Sequence, residues 1–182
     1  SIRTNNVMKL NLKFKYNDHF GIPQCSIKVD DEVLYQGDVK EEVVFDHKLD
    51  QGKHTMSITH YNKQNLETTV DQDKHFVLEQ IVIDEVDIDQ FEHCRLSHTG
   101  RFYPDYDKAY VKDQNLLGNM LPEYIQPNHY FGHNGTWVLD FETPTLLWLI
   151  KEQNPSGIHL EDTMFKTGQE TMSNLRRFFD LD

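Results

Sequence analysis

Asp140 and Glu142 stand one residue apart in a stretch where Trp137, Leu139 and Phe141 alternate with polar neighbours. On a strand the two carboxylates share a face about 7 Å apart. That separation is of the kind used for paired acid/base chemistry at a glycosidic bond. The same alternation also describes a solvated polar face backed by an apolar one, which asks no chemistry of either acid. Among the 10 histidines, His93 and His98 flank Cys94, and His129 precedes His133 by four residues. Zinc needs three or four converging neutral nitrogens or thiolates. Neither spacing enforces convergence, so loop histidines packed beside Tyr and Phe remain the alternative.

Asp71 and Asp73 fall in a polar loop, and Asp84, followed by Asp87 and Asp89, closes the apolar run after it. Calcium takes six to eight oxygens, and these carboxylates are its candidate ligands, although the regular spacing of a calcium loop is missing. Asp-rich turns that simply solvate the sheet edges are the reading that the missing spacing favours. A third grouping is aromatic: Phe102, Tyr103, Tyr106, Tyr110, Tyr124, Tyr130 and Phe131 crowd into a span with few aliphatic partners. Exposed tyrosines stack on sugars or fill protein pockets, because each has an apolar body and a polar tip. Burial as a satellite cluster under a loop explains the same residues. No Walker loop, HExxH, GxSxG, GxGxxG or EF-hand loop is present.

The elements that would hold these groups are mostly strands. Met8, Leu10, Leu12, Phe14 and Tyr16 alternate with Lys9, Asn11, Lys13 and Lys15, which is a half-buried strand. Cys25, Ile27 and Val29 alternate again, Asp30-Asp31 makes a turn, and Val33–Tyr35 returns as the second arm of a hairpin. Met56, Ile58 and His60 share one side of the stretch after Gln51-Gly52. From Phe76 to Ile83 apolar residues occupy both faces, which predicts a strand buried on both sides or bent by a bulge. Trp137, Leu139 and Phe141 mark a closing strand.

Between about 91 and 135 the periodicity is lost, and a long irregular insertion is expected there. Within it Leu116, Leu117, Met120 and Leu121 predict one helical turn ending before Pro122. Thr143-Pro144 reads as a cap and first turn for a short helix through Leu146, Leu147, Leu149 and Ile150, with a continued strand as the alternative. The segment 155–182 carries Met172, Leu175, Phe178 and Phe179 at helical spacing, a docking helix whose apolar stripe must be covered. The expected fold is therefore mainly β: an antiparallel, jelly-roll-like β-sandwich over 1–154 with one or two short helices, followed by a helical carboxyl-terminal tail.

A chain of 182 residues buries roughly 70% of its unfolded surface as one domain. The 12% aromatic content is too high for a disordered polyanion. A formal charge of −12 argues against nucleic acid, whose phosphates demand clustered Lys and Arg. The longest apolar run, Leu146 to Ile150, is far below the roughly 20 residues of a membrane span, and Ser-Ile-Arg-Thr-Asn-Asn has no apolar signal core. Two cysteines, Cys25 and Cys94, make no disulfide framework, and spacing does not decide whether they pair.

The stretch Gly52-Lys-His-Thr-Met-Ser-Ile-Thr-His-Tyr-Asn62, the loop to Asp71 and the strand Phe76-Val-Leu-Glu-Gln-Ile-Val-Ile-Asp84 resemble the β-sandwich carbohydrate-binding modules of the calcium-dependent xylan-binding type. They resemble more closely the related small sandwich domains of tailed-bacteriophage virion proteins, in which a loop like Asn62-Lys63 to Glu67-Thr68-Thr69-Val70-Asp71 precedes the second strand. The resemblance covers Val7 to Asp89, about half the chain, and extends to the Gly135–Phe141 strand. It implies a non-enzymatic structural or adhesive role in a tail, baseplate, fibre or head decoration, located in the virion. Its implied partners are other virion proteins in an oligomeric assembly and cell-surface polysaccharide. A calcium-assisted glycan-binding module is the alternative it implies, and a glycoside hydrolase built on Asp140 and Glu142 is the third reading. No cofactor other than calcium is expected.

Overall fold

A computed structural model describes residues 6–64, 67–90, 100–126 and 128–153. The period-two stretches become strands: β1 (Asn6–Tyr16), β2 (Gln24–Val29), β3 (Glu32–Asp38), β4 (Glu42–Leu49), β5 (Gly52–His60), β6 (Phe76–Ile83) and β10 (Gly135–Thr143). Short strands β7 (Val86–Asp87), β8 (Arg101–Pro104) and β9 (Tyr130–Phe131) complete them. One sheet runs β4-β1-β6-β7, with β9 also on β6, and the other runs β3-β2-β5-β10-β8. Every pairing is antiparallel. Because the chain passes repeatedly from one sheet to the other, the two form a jelly-roll-like sandwich rather than two hairpin stacks.

The core lies between the sheets. Met8, Leu10, Leu12 and Phe14 from β1 and Leu78, Ile81 and Ile83 from β6 pack with Ile27, Met56, Ile58, Trp137 and Leu139 of the second sheet. Burying each such side chain contributes about 1.5–3 kcal/mol. Trp137 is fully buried, and its indole N–H donates to the Asn128 carbonyl at 2.8 Å, so the ring enters the core without leaving a donor unsatisfied.

The apolar residues on both faces of β6 arise from a bulge. Lys13 pairs with Gln80 and Phe14 with Leu78, so Glu79 is the extra residue. Phe76 and Leu78 face the core before it and Ile81 and Ile83 after it, while Glu79 points to solvent. The Asp30-Asp31 turn joins β2 to β3, with Asp30 at φ 52°, a conformation Asp tolerates better than most residues.

The segment expected to be irregular carries more structure than its sequence suggests. Besides β8 and β9 it holds a helix, α1 (Lys108–Leu116), which begins well before the turn predicted around Leu116–Leu121. Asp107 caps it by accepting from the Ala109 and Tyr110 amides. The chain after Thr143 turns into α2 (Thr145–Gln153), which buries Trp148, Leu149 and Ile150. Thr143 does not cap it: its hydroxyl donates to the Asp50 carbonyl at 2.6 Å and accepts from Gly52 N at 3.1 Å, tying down the β4–β5 turn. The tail residues Met172, Leu175, Phe178 and Phe179 lie outside the described residues, as do His93, Cys94 and His98. No described helix is long and apolar enough to cross a membrane.

Candidate functional site

One end of the sandwich, where β5 finishes, β6 begins and β10 begins, is closed by a polar network. Asn134 anchors the chain leaving β5: its side-chain oxygen accepts from Lys63 N at 2.9 Å and its amide donates to the Lys63 carbonyl at 2.8 Å. That fixes the Lys63 ammonium against the Asp73 carboxylate and the Gly132 carbonyl. Asp73 also accepts from the Thr68 hydroxyl and the Tyr130 hydroxyl, each at 2.7 Å. Burial works against the Asp73 charge, but Lys63, Thr68 and Tyr130 together hold its carboxyl below the ordinary range. Burial and then the Asp73 contact push the Tyr130 hydroxyl upward, so it stays protonated and donating.

Beside this network lies an open cleft of about 430 Å³. Its far wall is the amino-terminal half of α1, with Asp105 and Asp107 leading into it and Tyr110 and Asp113 on it. Tyr106 and Tyr110 stack at 5.9 Å between ring centroids, and the His133 ring approaches both, at 5.2 and 5.0 Å. Burial, followed by the Lys63 charge, lowers the His133 pKa, so the imidazole is neutral at neutral pH. The lining holds four carboxylates, Asp73, Asp105, Asp107 and Asp113, against the single ammonium of Lys63.

Beyond Asp113, the last helical residue, its cap and the turn that follows carry exposed apolar side chains. Leu116, Leu117 and Met120 are 76%, 72% and 95% exposed. Tyr110, Asp113 and Leu117 stand at i, i+3 and i+7, so the cleft-lining face of α1 continues into this patch. Tyr103 and Tyr124 form a second exposed pair, at 5.6 Å, along the β8 edge.

The aromatic grouping thus divides. Tyr106, Tyr110 and Tyr130 gather around the cleft, and Tyr103 and Tyr124 sit on the sheet edge. Phe102 and Phe131 are corrected: both are fully buried in the core, with Phe131 stacked on Phe76 at 4.3 Å, so neither reaches a ligand from the surface. The calcium grouping does not assemble. Asp71 and Asp73 precede β6 and Asp84 follows it, at opposite ends of an eight-residue strand. Asp84 is engaged by the Lys9 amide at 2.9 Å and the Thr145 hydroxyl at 3.1 Å. Among the described residues no group of three or more His, Cys, Asp or Glu is placed to hold a metal.

Asp140 and Glu142 do share the outer face of β10, facing a second cavity of about 380 Å³ with Asp30, His54 and Trp148. Each is ion-paired: Asp140 with Arg101 at 2.8 Å and Glu142 with Lys151 at 3.5 Å. Asp140 also accepts from the Thr55 hydroxyl at 2.8 Å. His54 bonds the Asp30 carboxylate at 2.8 Å, and despite burial that contact, with the Thr55 amide, lowers the Asp30 pKa. Comparison with protein-family models, with curated proteins and with solved structures finds no match.

Sequence reasoning missed Lys63, Asn134, Asp105, Asp107 and Asp113 as site residues. Asp107 carried a legible signal, an Asp directly before a helix-forming stretch. Lys63 and Asn134 carried none, because their partners are 10 and 71 residues away.

Proposed function

We propose that this chain is a non-catalytic docking module, in which the sandwich is a rigid platform and the α1 flank meets another protein. One observation carries the reading: α1 has no buried residue, and its last residue, its cap and the turn after it expose Leu116, Leu117 and Met120. A nine-residue helix is marginal in water on its own propensity, and helices normally gain their stability by burying an apolar face. A helix with no fully buried residue among the described ones is explained by a surface it meets in a partner. The pairing of Asp140 with Arg101 and of Glu142 with Lys151 also favours a structural role for those carboxylates over acid/base chemistry.

The resemblance of Gly52–Asp84 to sandwich domains of tailed-bacteriophage virion proteins supplies the setting: a tail, baseplate, fibre or head-decoration component docked on neighbouring subunits. Hydrogen exchange over residues 108–117, compared between the isolated chain and the particle that incorporates it, tests this. The docking reading requires slower exchange in the particle. Equal exchange in both overturns it.

Glycan binding is the second reading, favoured by the Tyr110 and Tyr130 rings beside carboxylates in one cleft. Titration calorimetry against a panel of polysaccharides, with and without chelator, decides it. Absence of heat with every sugar removes it.

A further inference from the structure

The cleft and the apolar patch flank α1 at its two ends, and their chemistry differs. At the amino-terminal half the face looks into a cleft lined by the Asp105 and Asp113 carboxylates. Lys63 is committed to Asp73 and the Gly132 carbonyl, so it does not offset Asp105 or Asp113. Tyr110 lies alongside these acids, and an aromatic face beside carboxylates attracts a cation by both ring and charge. At the helix end and in the turn after it, Leu116, Leu117 and Met120 offer apolar area with a flexible thioether, which adapts to irregular partners.

We propose that the occupant of this face is a basic, amphipathic segment of a partner protein, with its Lys or Arg side chains in the Asp105/Asp113 cleft and its apolar side chains on Leu117 and Met120. This rests on the docking reading and names the chemistry of the partner. Charge complementarity selects that occupant. An acidic or neutral segment would leave Asp105 and Asp113 without a counter-charge.

The probe is a fluorescein-labelled peptide of Lys/Leu heptads, read by fluorescence anisotropy against the full chain, beside its Glu-for-Lys counterpart. The Lys peptide binds and the Glu peptide does not. Asp105→Asn with Asp113→Asn weakens binding about tenfold, the effect of removing two rim ion pairs at roughly 0.7 kcal/mol each. Asp46→Asn with Glu79→Gln removes the same charge from exposed positions on the first sheet and changes affinity less than about twofold, because screening confines surface charges to about 8 Å. Leu117→Ser with Met120→Ser weakens binding without altering its salt dependence.

Equal losses from the two charge pairs, equal binding of both peptides, or no binding of the Lys peptide overturns the proposal. These outcomes are separable from failure of the docking reading. If residues 108–117 gain protection in the particle while Asp105→Asn with Asp113→Asn incorporates normally at all salt concentrations, docking stands and the basic partner falls.

Discussion

Acidification from about pH 7 to pH 4 should remove about 3 kcal/mol of stability through one residue, His60. Its ring is fully buried, stacked edge-on against Phe76 at 5.1 Å. Nδ1 lies 3.2 Å from both the Phe131 and the His133 carbonyl oxygens. Both neighbours are acceptors, so Nδ1 carries the proton and donates. Nε2 is buried and makes no hydrogen bond, so although the Asn62 side chain favours the charged ring, a second proton would place a charge in the core at a cost. Burial accordingly lowers the pKa from 6.5 to about 4, against the opposing pull of the two carbonyls. The unfolded chain binds the proton near the ordinary value and the folded chain does not, so between these limits stability rises with pH. The contribution is fully present above about 6.5 and is lost as pH falls through about 4. A shift of this size, at about 1.4 kcal/mol per pH unit, amounts to about 3 kcal/mol. His133, lowered in the same direction, adds to the slope in that window, whereas Asp30 and Asp73 act only below about 3.8. Urea unfolding at half-unit pH steps measures the slope. His60→Asn, which keeps a donor where Nδ1 stood but cannot titrate, lowers stability at every pH through lost ring packing and flattens the slope between 4 and 6.5. An unchanged slope in His60→Asn would refute the reasoning, because the proton uptake would then belong to another group.

Trp137→Ala removes the largest side chain in the core and costs about 3–5 kcal/mol, measured as a lower urea midpoint at unchanged slope. A stability equal to that of the parent would mean the ring is not buried. Gly135→Ala costs about 1–3 kcal/mol or more. Gly135 has φ 148°, and a Cβ there would stand 2.4 Å from the Tyr103 carbonyl oxygen, so thermal unfolding near the parent value would contradict the close approach of β10 and β8. Lys63→Met leaves the largely buried Asp73 carboxylate without its cation and costs about 2–4 kcal/mol, somewhat less than a fully buried pair because some solvent reaches it. In that variant the loss of stability expected as Asp73 protonates at acid pH becomes shallower; an unaltered acid limb would separate the two residues energetically.

The sandwich was legible because its strands bury one face each. Met8, Leu10, Leu12 and Phe14 alternate without a break, and that period leaves one option for the core side. The β6 run was legible in its ambiguity: apolar residues on both faces required either two-sided burial or a bulge, and Glu79 supplies the bulge. Helix α1 was misplaced for the complementary reason. It buries nothing, so it has no apolar stripe to display, and the leucines that drew attention to Leu116–Leu121 mark its exposed end. Only the bracket of Asp107 before it and Gly118 after it announced its length. The cleft was half legible. Tyr106 and Tyr110, four apart across a helix start, must approach each other, but the closure of Lys63 on Asp73 and of Tyr130 on Asp73 depends on where β6 and β9 lie in space. Phe102 and Phe131 were grouped with the tyrosines by density alone, although a phenylalanine, lacking a polar tip, belongs more readily in the core.

Whether another protein covers the α1 flank is decided most directly by a photo-activated cross-linking residue at Met120, irradiated in the virion assembly proposed for the chain. Covalent linkage to a different protein, with the linked peptide carrying Lys or Arg, is the predicted result. Linkage only within the chain, or none in a particle that has incorporated it, contradicts the account.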